Sequence, residues 1–327
     1  MSSDNRQLAP FIHTVKNAPY IYITLLVSLV PCIVCGVFYY GLRALILILF
    51  CMLSFVVIDY FFMWLTGRRS ADEYFDLSSL VEGLLIALLL PPDTTLVTAF
   101  AAVLFASIIT KQVFGGAGSN IVNPAVAGRL FIELAWPSRT QGLSYGEDNS
   151  RLQLMSLIFQ KEPDDLPDLS SLSFTELLSG NYPGMIGTAC FVCILLGCIF
   201  LVFKGTMRLY SPVSYLVTLL VFYPVSTLMD NGTFTYDGLI VYLMSSGAVF
   251  IAVFILGDLT TMPSRFAAGV FAGIVCGLLT LVTKSFLSPM VSLLAPVIAV
   301  NFLSFVLDFF LKTLSRRQIR SREVDAL

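Results

Sequence analysis

The chain has 327 residues, 57% of them apolar and 12% charged, with a formal net charge of −2 and a mean hydropathy of +0.86. Soluble domains carry about 25% charged residues, so this balance excludes a water-soluble enzyme, a disordered chain and a collagen-like one. Near-neutrality also removes the electrostatic basis for nucleic acid as a partner. An integral membrane protein is the class that remains.

A bilayer core of ~30 Å takes about 20 helical residues or about 10 residues of a barrel strand. No charged residue occurs between Ala18 and Leu42, which suits helices and not an alternating barrel pattern. In chain order the apolar runs predict ten helical segments at 18–40, 44–65, 76–90, 94–110, 124–135, 184–203, 212–229, 238–256, 264–283 and 288–311. The third to fifth are short for a full crossing. Residues 1–17 are polar, and the run that follows is too long for a cleaved signal, so it reads as an uncleaved anchor. The stretch 136–183 carries Glu147, Asp148, Glu162, Asp164, Asp165 and Asp168 with Pro163, Pro167 and Pro183, and reads as an extracytoplasmic loop. It separates a first five-helix half, 18–135, from a second, 184–311, and a basic tail, 312–327, closes the chain.

Short cytoplasmic loops hold the excess of Lys and Arg. With both termini inside, the inner segments hold Arg6, Lys16, Arg68, Arg69, Lys111, Lys204, Arg208, Arg265, Lys312, Arg316, Arg317, Arg320 and Arg322, thirteen in all. The outer ones hold five: Arg43, Arg139, Arg151, Lys161 and Lys284. Both termini are therefore expected in the cytoplasm. The run from Gly83 to Asp93-Thr-Thr resembles the run from Gly247 to Asp258-Leu-Thr-Thr, and the two aspartates stand 165 residues apart. An odd number of helices per half would make such copies inverted, with the aspartates on opposite faces. Chance likeness between two apolar helix ends is the competing account.

The segment Phe114-Gly-Gly-Ala-Gly-Ser-Asn120-Ile-Val-Asn123-Pro124-Ala-Val-Ala-Gly128-Arg129 is the most informative. Gly115, Gly116 and Gly118 permit positive φ, Asn123 is a good helix N-cap, and Pro124 suits the first helical position. Irregular backbone at membrane depth is tolerated only where it is packed in protein or lines a cavity. Free N–H groups and the positive helix end there would suit an anionic or oxygen-rich ligand; the alternative is a loop whose glycines serve only close packing.

This pattern, F-G-G-x-G-x-N-x-x-N-P-A-x-x-G-R, resembles that of the D-type membrane subunit (RnfD) of Rnf-type ion-translocating electron-transport complexes, a relative of the B-type subunit of the sodium-pumping NADH:quinone oxidoreductase. Three more stretches match in order: Gly83 to Pro92, Leu177 to Gly187, and Asp258 to Pro263. The resemblance implies an electron-transfer subunit in a bacterial or archaeal cytoplasmic membrane. It also implies flavin chemistry (FMN or riboflavin) coupled to sodium or proton movement, and partner subunits, membrane and soluble, that carry flavin and iron–sulfur groups. It designates Phe114, Gly115, Gly116, Gly118, Asn120, Asn123 and Arg129 for cofactor binding. Family members commonly attach FMN to the threonine of an S-G-A-T motif, which is absent here. The corresponding region, 145–156, has no threonine, and Ser246-Gly247-Ala248 is followed by Val249. Covalent FMN is thus not expected, and any flavin is expected to be held non-covalently.

Ionisable groups within apolar segments cost about 2.5–3.5 kcal/mol each on insertion scales, which singles out Asp59, Glu82, Arg129, Glu133 and Asp308. Arg129 and Glu133 share a helical face and can satisfy each other. Glu82, Asp258, Thr260 and Thr261 offer oxygens for an ion pathway, with helix capping as the alternative for Asp258. Two Cys-x-x-Cys pairs, Cys32/Cys35 and Cys190/Cys193, fall at similar expected depth, where four thiolates could in principle hold an iron–sulfur cluster, but cysteine is an ordinary small residue in such helices and no metal site is expected. His13 alone makes none. Tyr20, Tyr22, Tyr39, Tyr40, Tyr60 and Trp64 read as interfacial belts, and the basic tail as a lipid-facing anchor. No phosphate-binding loop, dinucleotide fingerprint or catalytic triad is present, so nucleotide oxidation falls to a partner. Besides the electron-transfer subunit, the sequence leaves open a stand-alone transporter or channel and a flavin-free scaffold.

Overall fold

The computed structural model describes residues 18–67, 76–137, 184–229 and 236–306, and these are helical with no strand among them. The N-terminal segment, most of the acidic loop with its Leu177 to Pro183 motif, the 145–156 region, Asp308 and the basic tail lie outside the described residues. Among the described residues, four helices are long and apolar enough to cross a membrane, five when a bent pair is counted as one span. Their outward faces stay apolar: Val34, Phe38, Leu42 and Leu53 on the first helix are all more than half exposed, a surface that only lipid or a partner covers favourably. The chain is a multi-pass membrane protein.

The first helix, α1 (Ala18–Leu65), contains the predicted segments 18–40 and 44–65 and breaks between them at Gly41, whose φ of 73° is left-handed. Unbroken, its 48 residues would span roughly 72 Å. Yet Tyr22 near its start lies in electrostatic range of Asp76, and Asp59 near its end shares Lys111 with the same Asp76. The chain therefore turns back at Gly41, where a residue with a Cβ is disfavoured. The expectation of two separate segments holds, with a single glycine as the connection.

Three short helices follow: α2 (Leu77–Leu89) and α3 (Leu96–Phe105) pack on α1, and α4 (Pro124–Ala135) packs on α2 and α3. Asp76 caps α2 by accepting from Ser78 N at 2.9 Å, and Asn123 caps α4 by accepting from Ala125 N and Val126 N. After Phe105 the chain widens into a π-helical stretch, Ala106–Gln112. Shortness of α2 to α4 matches the expectation; the α4 cap Asn123 is buried, whereas Thr95, which caps α3, is exposed.

The second half contains α5 (Phe191–Lys204), α6 (Tyr210–Met229), α7 (Tyr236–Ser245), α8 (Ala248–Phe250, continuing as π-helical Ile251–Ile255), α9 (Phe266–Lys284) and α10 (Pro289–Val306). Two expectations need correction. The helix expected from 184 starts at Phe191, because residues 184–190 run as an irregular buried segment whose Ile186 N donates to the Leu90 carbonyl at 3.1 Å. The segment 238–256 is not one helix: Gly247, at φ 85°, breaks it, with a bend of 55° between the two parts. Ser246-Gly247-Ala248 thus forms a buried helix break and offers no attachment hydroxyl at position 249.

Candidate functional site

Both predicted loop motifs leave π-helical turns. In the first, Val113 N donates to Ile108 O at 3.0 Å and Gly116 N to Lys111 O at 3.0 Å; in the second, Leu256 N donates to Ile251 O at 2.9 Å. Such turns are rare and often mark functional sites. The glycine loop follows with φ values of 118°, 96° and 79° at Gly115, Gly116 and Gly118. The other loop is organised by Asp258, whose carboxylate accepts from Thr260 Oγ1, from Thr261 Oγ1 at 3.1 Å and from Thr261 N at 3.3 Å. Arg208 pins its far side by donating to the carbonyls of Met262 and Pro263 at 3.0 and 3.2 Å.

The two loops, about 140 residues apart in sequence, meet around one cavity of about 340 Å³, within the range of small-molecule sites (roughly 300–1,000 Å³). Gly118 and Asn120 come from the first loop, Thr260 and Thr261 from the second, and Asn301 and Ser304 from α10. Asn120 Oδ1 and both polar atoms of the Asn301 side chain are buried with no hydrogen-bond partner among the described residues. Leaving such groups unpaired costs about 1–3 kcal/mol each, so the site is built for a ligand with donors and acceptors on one edge or for ordered water. Asn301 and Ser304 were not anticipated. Their signal was present, two polar residues three apart in the last apolar run and hence on one helical face.

The other designated residues are placed elsewhere. Phe114 and Gly115 are exposed and Gly116 half-exposed, outside the cavity lining. Asn123 spends its side-chain oxygen on the α4 cap. Arg129 is buried, donating from Nε to Leu89 O at 3.0 Å and from a terminal nitrogen to Glu133 at 2.6 Å; it is the structural pair that its spacing suggested.

Beside the cavity lies a buried charge cluster. Lys111, on the first π turn, has a fully buried side chain that donates to Asp59 at 2.6 Å, Ser79 at 2.9 Å and Asp76 at 3.2 Å. Asp59 also accepts from Ser79 at 2.6 Å and from Ser107. All three ammonium donors are used. Glu82 directly precedes Gly83, where α2 crosses closely over Met52 of α1. Its carboxylate lies buried in electrostatic range of Asp258, Lys111 and Asp59. Lys111 and Asp76 were missed as members of a site because each falls near a segment boundary, where sequence reads a wet loop.

Comparison with known proteins agrees with these motifs. The model of the NQR2, RnfD, RnfE family matches residues 5–315. The chain belongs to the NQR2, RnfD, RnfE family. Among its relatives, the D subunit of the Na(+)-translocating ferredoxin:NAD(+) oxidoreductase complex of Acetobacterium woodii is 27% identical over 279 residues, covering 84% of this chain and 83% of the relative. The proton-translocating counterpart from Clostridium ljungdahlii is 26% identical over 284 residues, 83% of each. The D subunit of the ion-translocating oxidoreductase complex of Salmonella arizonae is 25% identical over 312 residues, 85% of this chain and 88% of the relative. For an RnfD-family chain, the meeting of two ordered motif loops on one cavity gives the shared sequence pattern a location.

Proposed function

We propose that this chain is the membrane subunit of an Rnf-type ion-translocating redox complex. In this reading its cavity seats a flavin ring non-covalently, and its buried carboxylates carry sodium ions or protons. One observation carries the reading: the buried, unpartnered Asn120 Oδ1 and Asn301 carboxamide line the cavity where both family motifs meet. A flavin ring edge alternates carbonyl oxygens with an imide N–H, and a carboxamide can match it with one donor and one acceptor. Ile121, Met262 and Phe305 supply the apolar part of the lining and keep water from the ring faces. When bound, the flavin supplies one- and two-electron exchange; the chain's residues hold and orient it.

The ion route in this reading follows Asp59, Glu82, Asp258 and the Thr260 and Thr261 hydroxyls, a succession of oxygen donors reaching from the charge cluster to the cavity edge. Ten spans in two inverted halves fit the same picture. Arg43 and Asp93 pair at the Gly41 end of α1, whereas Asp258 lies in range of Tyr22, at its other end. Arg208, 165 residues after Arg43 as Asp258 is after Asp93, braces the Asp258 loop as Arg43 braces the turn at Asp93. Both termini then face the cytoplasm, where soluble partners dock.

The test is the purified complex. Denaturation should release isoalloxazine absorbance from this subunit into the supernatant. Asn301→Leu removes two hydrogen bonds of about 1 kcal/mol each, so flavin retention should weaken by roughly 30-fold while the complex assembles. A colourless subunit, or one whose flavin is unaffected by Asn301→Leu, would sink the proposal.

A further inference from the structure

The two Cys-x-x-Cys pairs, unrelated to the cavity, are brought together by the fold. Cys32 and Cys35 lie one turn apart on the first arm of α1, and Cys190 and Cys193 open α5. The arm and α5 run antiparallel, with Ser28 against Gly197 and Gly36 against Ile186. The sulfurs of Cys35, Cys190 and Cys193 all lie within 4.8 Å of one another, and Cys35 and Cys193 are 3.0 Å apart although 158 residues separate them in sequence. Cys32 lies in electrostatic range of both Cys35 and Cys190. None of the four is in a disulfide; Cys32 and Cys193 are buried and Cys35 and Cys190 half-buried.

We propose that this cluster binds a single thiophilic metal ion of the zinc(II) or copper(I) class. Among the described residues, the metal-ligating side chains gathered there are cysteines, and sulfur donors select soft ions over the hard ions of oxygen sites. Metal–sulfur bonds of about 2.3 Å in a tetrahedron place sulfurs roughly 3.8 Å apart, inside the 3.0 to 4.8 Å observed here. A disulfide needs about 2.05 Å. Paired Cys-x-x-Cys spacing is also that of structural zinc sites.

The ligands must be thiolates, and α5 favours that form. Cys190 is its N-cap and makes no side-chain capping bond, so the free amides and positive dipole end of a 14-residue helix lie beside the sulfurs. A bound cation then offsets the anionic charge in a setting where unpaired charge is costly. The cluster is 13 residues along α1 from Tyr22, about 20 Å, so it stands apart from the flavin reading and does not depend on it.

The experiment takes the full-length chain, purified in detergent without chelators, and measures bound metal directly. One zinc or copper per chain is expected. After removal of that metal, Co²⁺ should restore a sulfur-to-metal charge-transfer absorption in the near ultraviolet. Cys35→Ser and Cys193→Ser should each weaken metal retention by at least about tenfold, whereas Cys51→Ser and Cys276→Ser, at buried cysteines elsewhere, should retain it. As a check that requires no variant, maleimide labelling of Cys32, Cys35, Cys190 and Cys193 in the native chain should rise when a chelator is added. Absence of metal and of the charge-transfer band, a Cys35–Cys193 disulfide in the freshly purified chain, or iron with acid-labile sulfide would each overturn the proposal.

Discussion

Replacing Lys111 by Met isolates the energetics of the buried charge cluster. The ammonium touches Asp59, Ser79 and Asp76, packs over the Phe55 ring at 5.3 Å, and has no exposed side-chain surface. Methionine keeps the aliphatic stem but leaves Asp59, itself fully buried, with two hydroxyl donors and no cation. Removing one partner of a buried ion pair costs about 3–5 kcal/mol. For a chain of 327 residues, an unfolding entropy near 2.1 cal/mol/K per residue makes that a fall of roughly 4–7 °C in the melting midpoint. Combining Lys111→Met with Asp59→Leu removes both charges, and the double variant should recover to within about 1–2 kcal/mol of the parent. Thermal unfolding in detergent, followed by circular dichroism, measures all of these. If Lys111→Met melts with the parent, or the double variant melts as low as the single one, the two groups are not an energetically coupled ion pair and the argument fails.

Two further substitutions separate packing from ligand binding. Arg129→Met leaves Glu133 unpaired and buried, and should cost about 3–5 kcal/mol; Glu133→Met added to it should restore most of that loss, and flavin per folded chain should stay unchanged in both. A drop in flavin content without destabilisation would instead place Arg129 at the cofactor. Gly128→Leu should prevent accumulation of folded protein in the membrane, because its Cβ would stand 2.6 Å from the Ala102 carbonyl oxygen and 2.9 Å from Ala106 Cβ. Normal yield and melting would show that α3 and α4 do not cross closely there.

Much of this architecture is legible in the chain because lipid imposes simple rules. Run length marked the long apolar helices α1, α6, α9 and α10, and the absence of charge from 18 to 42 spoke against strands. Asn123-Pro124 marked the start of α4 by cap chemistry, and it begins there. What stays hidden depends on contacts between distant segments. Nothing in the run 184–203 shows that its first residues stay irregular, since that follows from Ile186 bonding the Leu90 carbonyl across the bundle. Ser-Gly at 246–247 is compatible with a continuous apolar helix until Met185 and Thr188 occupy the space around Gly247. Likewise Asn301 is one polar residue in an apolar run, and only the meeting of two loops beside it gives it a role.

The π-helical turns tie the charge cluster to the cavity. Gly116 N donates to the carbonyl of Lys111 itself, so the residue that holds Asp59 and Asp76 also anchors the glycine loop that reaches the cavity wall. In the second half, Asp258 N bonds Ile255 O at 3.2 Å, so the loop carrying Thr260 and Thr261 is hung from the other π turn in the same way. A π turn holds one residue more than an α-turn needs, and releasing it shifts the following segment by one position along the helix. Under the proposed flavin reading, the redox state of a ring in the cavity and the charge at Lys111 and Asp258 would act on the same two backbone turns. Coupling between an electron site and an ion site requires one element whose equilibrium both sites bias, and in that reading the π turns occupy this position. A rigid α-helical exit at either position would leave the cavity and the carboxylates with no shared element to move.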